Sequence, residues 1–385
     1  MTRLLLYSLI FLVLRIPVRG DIPAGYVPEG LSALRGLMVY RDYISSYAPL
    51  HSYLDAIFLY LWRSPLSVIL FAVAAEWLII PLWLKVSRDI LPERIVRIAA
   101  VLYLFSPLSI QYVTVDGQDN VVIAVLLVLA VMLLFRSRVA LSALCVSASI
   151  ATFKFLPLVY VPSFFGAAGK RRWLWLALFA IPTFLLYGAF YVLHSPILYP
   201  LQHEGALQKA SDLPFVVDVI VGRMLPAHLW DGLVVLALAA MVALILKTMH
   251  SMDLKSRIRI LTYSMPALML IVLLLSKKSW PTYFMMVLFP LCLLIANLSV
   301  AKRAIFFLFS IVAVTEHSFW TIKLQEVDAV GLHSILALHN STAVLFMALE
   351  VALLAGYVWL LVLFTRTIIS SRETQYQTSS NQPLH

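Results

Sequence analysis

The sequence predicts an all-α polytopic membrane protein with about 10–12 transmembrane segments and an outward first loop that carries short interfacial helices. Three observations predict it. The 385 residues are 62% hydrophobic and 12% charged, where soluble proteins carry roughly a quarter charged residues. The mean hydropathy is +0.94. Apolar runs long enough to span a bilayer recur along the chain, with short basic clusters between them.

The first element is Arg3 followed by LLLYSLIFLVL. It has the n- and h-regions of a secretory signal; it also reads as a retained first helix, 3–19, that delivers Asp21 to the far side. Ten apolar runs follow, at 65–84, 98–113, 121–135, 139–165, 173–193, 230–246, 260–276, 281–299, 304–322 and 341–365. Six basic clusters punctuate them, around Lys85/Arg97, Arg136/Arg138, Lys170/Arg172, Lys247/Arg259, Lys302/Arg303 and Arg366/Arg372. Cytoplasmic loops are rich in Lys and Arg, so all six clusters are assigned to the cytoplasm, and neighbouring clusters must be separated by an even number of crossings. The single run 139–165 meets this rule only as a hairpin of two half-helices turning at Lys154–Pro157, where proline breaks the helix. By the same count 49–62 lies along the interface. Both termini are then cytoplasmic, and the outer face receives 20–64, 114–119, the 154–157 turn, 194–229, 277–280 and 323–339. Residues 1–366 form one transmembrane domain, whose first outer loop is 20–64, and 367–385 a polar, disordered cytoplasmic tail.

Composition also excludes readings. The net charge of +10 anchors cytoplasmic loops and does not call for nucleic acid. Cys145 and Cys292 lie inside apolar runs and read as small buried hydrophobes. His333 and His339 have no carboxylate to complete a metal set, and AAGKRR lacks the glycine spacing of a P-loop.

The outer polar residues carry the chemistry. The first loop offers Asp21, Glu29, Arg35, Arg41 and Asp42; the second, VDGQDN, offers Asp116, Gln118 and Asp119; the hairpin offers Lys154; SKKSWPTY offers Lys277, Lys278, Trp280 and Tyr283. Cations at headgroup level suit a lipid-linked phosphate. Aromatic faces with carboxylates and amides suit a sugar, and a sugar transfer needs one carboxylate as general base. Plainer roles stand beside these: Lys277 and Lys278 as snorkelling anchors, Trp280 and Tyr283 as interfacial-belt aromatics. Lys154 lies within an apolar run, where function is the default reading. Glu76, Glu316/His317 and Glu350 read as packing pairs or a proton path.

An Asp past the first helix, then VYRDY…YAPL, GQDN, FK-x-x-P and WPTY, follow in order over about the first 300 residues. This order resembles the GT-C superfamily of integral-membrane glycosyltransferases, most of all the polyprenol-phosphate-mannose-dependent α-mannosyltransferases. The chain departs from the family at Ala48, where a proline is frequent, and in having a lone Asp21 where some members carry an Asp-x-Asp pair. The resemblance implies a GT-C-like fold and an inverting transfer of a sugar, mannose by similarity, from a polyprenyl-phosphate donor to a glycolipid, glycan or protein acceptor outside the cytoplasm. It implies Asp21 as catalytic base, with Asp42 as runner-up. On this reading Arg41, Lys154 and Lys278 bind the donor phosphate, and Gln118, Asp119, Tyr47, Trp280 and Tyr283 hold sugar or acceptor. No cofactor or metal is required, although a divalent ion could bridge Asp21 and Asp119. The setting is a multi-pass protein of the plasma, inner or endoplasmic reticulum membrane. Two rival classes are a transporter or flippase of lipid-linked sugars, which predicts an internal repeat that the sequence does not display, and a non-catalytic scaffold, which tolerates loss of Asp21.

Overall fold

The computed structural model describes residues 2–193, 196–200, 210–277 and 280–380, with side chains to residue 371. Lys278, His194, His203, Glu204 and Lys209 lie outside the described residues. Among those described there is no strand, only an isolated bridge between Val39 and Tyr43. Six of the described helices are long and apolar enough to cross a membrane, and Glu93–Leu104 with Pro107–Val115, bent by 46° at its break, brings the number to seven if that pair is one span. The other expected crossings fall on shorter apolar helices such as Asn120–Phe135 and Val139–Thr152. The chain is an integral multi-pass membrane protein.

The chain divides into two compact units. The first comprises 1–89, 100–158 and 173–206. Its helices are α1 (Thr2–Val13), α2 (Val27–Leu34), α3 (His51–Leu61), α4 (Pro65–Ser87), α5 (Glu93–Leu104, which begins in the second unit), α6 (Pro107–Val115), α7 (Asn120–Phe135), α8 (Val139–Thr152) and α10 (Arg172–Val192). α7 is apolar on every face, NVVIAVLLVLAVMLLF, and is accordingly packed on two sides, by α4 and α8. α2 lies on α3 through Gly30, where a Cβ would come within 2.7 Å of the Leu59 side chain and 3.2 Å of the Ala56 nitrogen.

Two expected boundaries differ. The first helix, expected over 3–19, ends at Val13; Pro17 disfavours helical backbone at Ile16, and Arg15 turns the chain with φ 53°. The run 281–299 yields a 3₁₀ turn, Pro281–Met286, and only a short helix, Leu288–Ala296, because Pro281 and Pro290 interrupt it.

The second unit comprises 90–99, 159–172 and 207–385. It holds α9 (Val161–Ala167), α11 (Leu213–Val221), α12 (Ala227–Met249), α13 (Leu254–Leu275), α14 (Leu288–Ala296), α15 (Val300–Lys323), α16 (Ala329–Ala337) and α17 (Ser341–Ser380). α17 thus runs through most of the tail expected at 367–385, and 381–385 lie outside the described residues. α13 is the centre, buried throughout Ile260–Leu273 and in contact with α9, α12, α14 and α17. The intramembrane acids of this unit have local structural partners. Glu350 accepts from the Ser211 nitrogen at 2.9 Å and Glu316 from the Ser211 hydroxyl at 2.7 Å. Lys277 pairs with buried Asp218 at 2.5 Å and donates to the Leu225 carbonyl.

Candidate active site

The break in the chain after α8 organises the site. α8 ends at Thr152, and the carbonyl of Phe153 has no helical donor ahead of it, because residue 157 is proline. It accepts instead from Ala48 at 3.0 Å, and the Ala151 carbonyl accepts from Leu50 at 3.1 Å. The backbone of the first loop is therefore hydrogen-bonded to the end of α8. The same loop packs Val39 and Tyr40 against Phe190 of α10, and the Tyr40 hydroxyl donates to the Tyr47 carbonyl. This fixes Tyr47 and, at the start of α3, His51 beside Lys154.

The second contribution is VDGQDN. Gly117 takes φ +60°, and a Cβ there would lie 2.5 Å from the Ile22 side chain and 3.3 Å from the Ile69 Cα. Only glycine fits both the left-handed backbone and the close approach. Gly117→Ala is expected to cost about 1–3 kcal/mol of stability by overpacking and to displace Gln118 and Asp119. A lower melting temperature together with slower transfer would bear this out; an unchanged rate would show that the turn relaxes without moving the site.

Past that turn, Gln118 donates to Asp21 Oδ2 at 3.0 Å. Asp119 starts α7 but its side chain leaves the cap unused. Instead its Oδ2 meets His51 Nε2 at 3.0 Å, and its Oδ1 stands 3.5 Å from Lys154 Nζ. His51 Nδ1 is 3.2 Å from Asp55, one helical turn along α3. Tyr47 stacks on His51 with centroids 4.3 Å apart, and Lys154 lies over the Tyr47 ring at 5.6 Å. Tyr26 closes edge-on against both Tyr47 and His51. Glu29 accepts from Ser52 at 3.5 Å.

The electrostatics separate the carboxylates by role. Burial opposes the Asp119 charge, but Lys154 and His51 outweigh it and hold its carboxyl well below the usual range. Burial likewise opposes the His51 imidazolium, yet Asp55, Asp119 and Glu29 push it up to about 9. Burial raises Asp55 to about 7 despite His51. Burial also raises Asp116 to about 6, against hydrogen bonds from Gln111 at 3.1 and 3.2 Å. Asp119 is thus an ionised anchor, already engaged by two cations. Asp21 is half-buried and oriented by an uncharged amide.

Of the residues singled out in the sequence, Asp21, Gln118, Asp119, Lys154 and Tyr47 belong to this one cluster. Arg41 and Asp42 do not join it. They pair with each other at 2.7 Å, with Arg41 half-exposed. The Arg41 hydrogen bonds, helped by the Met38 amide, hold Asp42 down to about 2, a poor setting for a base. Trp280 and Tyr283 belong to the second unit, where Trp280 packs edge-on to His317 and near Trp320, and Tyr283 is buried. Sequence reasoning missed His51 and Asp55. The spacing His51-x-x-x-Asp55 on an expected short helix was the available signal, since residues four apart share a face. Among the described residues no three of His, Cys, Asp and Glu are arranged to hold a metal ion.

No protein-family model matches the chain, and no curated protein matches it. Among solved structures, a match covers 96% of this chain and 76% of the other, with a TM-score of 0.54 and 12% identity. That structure is ArnT from Cupriavidus metallidurans bound to undecaprenyl phosphate. With its helices in this arrangement, the chain has a GT-C-like, all-α polytopic membrane fold.

Proposed function

We propose that the protein is a membrane glycosyltransferase that moves a sugar from a polyprenyl-phosphate donor to a hydroxyl acceptor on the non-cytoplasmic face, with inversion. The observation that carries this reading is the joining of Asp21–Gln118 to Lys154–Asp119–His51 by three separate loops of one unit. A carboxylate that can take a proton and a lysine suited to a phosphate are what such a transfer requires. The shared fold supports the donor class, since the ArnT structure holds a polyprenyl phosphate. The resemblance of VYRDY…YAPL, GQDN and FK-x-x-P points to mannose as the sugar.

In this reading Asp21 takes the proton of the acceptor hydroxyl as that oxygen bonds to the anomeric carbon. The bond from that carbon to the phosphate oxygen breaks, and its electron pair leaves with the polyprenyl phosphate from the opposite face. Lys154 stabilises the charge growing on the phosphate. Gln118 fixes Asp21, and Tyr47 offers a ring face to a sugar. The acceptor is a glycolipid, a glycan or a protein hydroxyl.

Membranes containing the protein, supplied with labelled polyprenyl-phosphate mannose and then with other lipid-linked sugars, test the reading. Free polyprenyl phosphate should accumulate above the level in membranes lacking the protein for at least one donor. If every donor survives intact in the presence of cell-derived acceptors, the transferase reading fails.

A further inference from the structure

We infer that His51 is a positioning residue for the donor phosphate: as a buried imidazolium it takes over the charge of Asp119, so that Lys154 can turn from Asp119 to a phosphate. The inference rests on the reading of the cluster as a polyprenyl-phosphate site, and extends it to a residue that never touches the donor.

The geometry carries it. Both ring nitrogens of His51 face carboxylates, Nε2 at 3.0 Å from Asp119 and Nδ1 at 3.2 Å from Asp55. A neutral imidazole answers Asp119 through Nε2–H alone, and its Nδ1 then faces Asp55 across 3.2 Å with no hydrogen bond; a proton on Nδ1 turns that approach into an ion pair. Asp119 is nearly inaccessible, so its charge must be balanced inside the protein. It has two cations at hand, His51 at hydrogen-bond distance and Lys154 farther off at 3.5 Å. Were His51 neutral, Lys154 would be the main counter-charge for Asp119, and drawing it away would leave a buried carboxylate unpaired. With His51 charged, Asp119 keeps a strong partner when Lys154 engages an incoming phosphate. Lys154 remains partly accessible, as that exchange requires, while His51 is sealed beneath Tyr47, Tyr26 and Phe153.

The groups facing His51 are Asp55 on its own helix, Asp119 with its second partner Lys154 behind it, Glu29 from α2, and the phenols Tyr26 and Tyr47. The carboxylates raise the His51 pKa to about 9 against the effect of burial. A raised histidine pKa means the charged form is present below that value and lost as the pH climbs through it. Phosphate binding should therefore weaken as the pH passes about 9.

The test uses the full chain in detergent and undecaprenyl phosphate as the probe, with affinity measured from neutral pH to above the His51 titration. Wild type is expected to bind and to weaken through that titration. His51→Gln keeps a hydrogen-bond donor but not the charge; it should bind about tenfold to a hundredfold more weakly at neutral pH, with no further loss through the same window. If His51→Gln binds as wild type does, or shows the same alkaline loss, the assignment to His51 is overturned while the donor reading stands. If the variant does not fold, the wild-type profile decides, because a flat profile overturns the assignment. If wild type does not bind undecaprenyl phosphate at all, the donor reading fails and the inference fails with it.

Discussion

Replacing Asp21 by Asn is expected to lower the rate of sugar transfer by about 10²–10⁴-fold, the usual share of a positioned general base. Donor binding should change little, because Lys154, Asp119 and His51 stay in place. Asn can still accept a hydrogen bond from Gln118 but cannot take a proton from an acceptor hydroxyl. The loss should therefore fall on kcat more than on KM. An Asp42→Asn variant serves as the internal comparison. Asp42 is tied to Arg41 and the Met38 amide, away from the Asp21 cluster, and its replacement should leave the rate within a small factor of wild type. If Asp21→Asn transfers at the wild-type rate and Asp42→Asn does not, the assignment of the base is wrong.

Arg3→Met is expected to destabilise the first unit by about 3–5 kcal/mol, the cost of leaving one member of a buried pair alone. The Arg3 and Glu76 side chains are 5% and 3% exposed, and their ends are 3.1 Å apart. The same guanidinium donates to the Leu104 carbonyl at 2.8 Å and the Ser109 hydroxyl at 2.6 Å, and Ser109 donates onward to Glu76. One side chain thus ties α1 to α4, α5 and α6. A thermal melt in detergent should show a large drop for Arg3→Met. Much of it should return in the double variant Arg3→Met, Glu76→Gln, which removes both charges. Equal melting of the single and double variants would mean that the loss is one of packing alone.

Much of the fold was legible because it rests on composition and local chemistry. The apolar runs mark the long helices, and Pro157 marks the break in the helix at Lys154. The short interfacial helices expected in the first loop fall at Val27–Leu34 and, for 49–62, at His51–Leu61. The partners of buried charges were not legible. Arg3 reads as the charged start of a leader, and Glu76 as an isolated polar residue, because their contact spans 73 positions. For the candidate site, Asp21, Gln118, Asp119 and Lys154 stood out as polar residues where apolar ones prevail. His51 and Asp55 did not, because an interfacial helix is expected to carry polar residues, and nothing in their own segment shows that Asp119 will fold against them. Arg41 and Asp42 stand out in the sequence by their charge density, and in the structure these adjacent opposite charges satisfy each other at the surface.

The most direct measurement follows a polyprenyl-phosphate sugar labelled in both its sugar and its phosphate, in sealed vesicles containing the protein with donor outside and inside in turn. The account predicts that the two labels separate: the sugar label appears on an acceptor, and the phosphate label stays on the lipid. Asp21→Asn should abolish that separation. Movement of both labels across the bilayer on one intact molecule, with no separation under any acceptor supply, would contradict the account and favour transport.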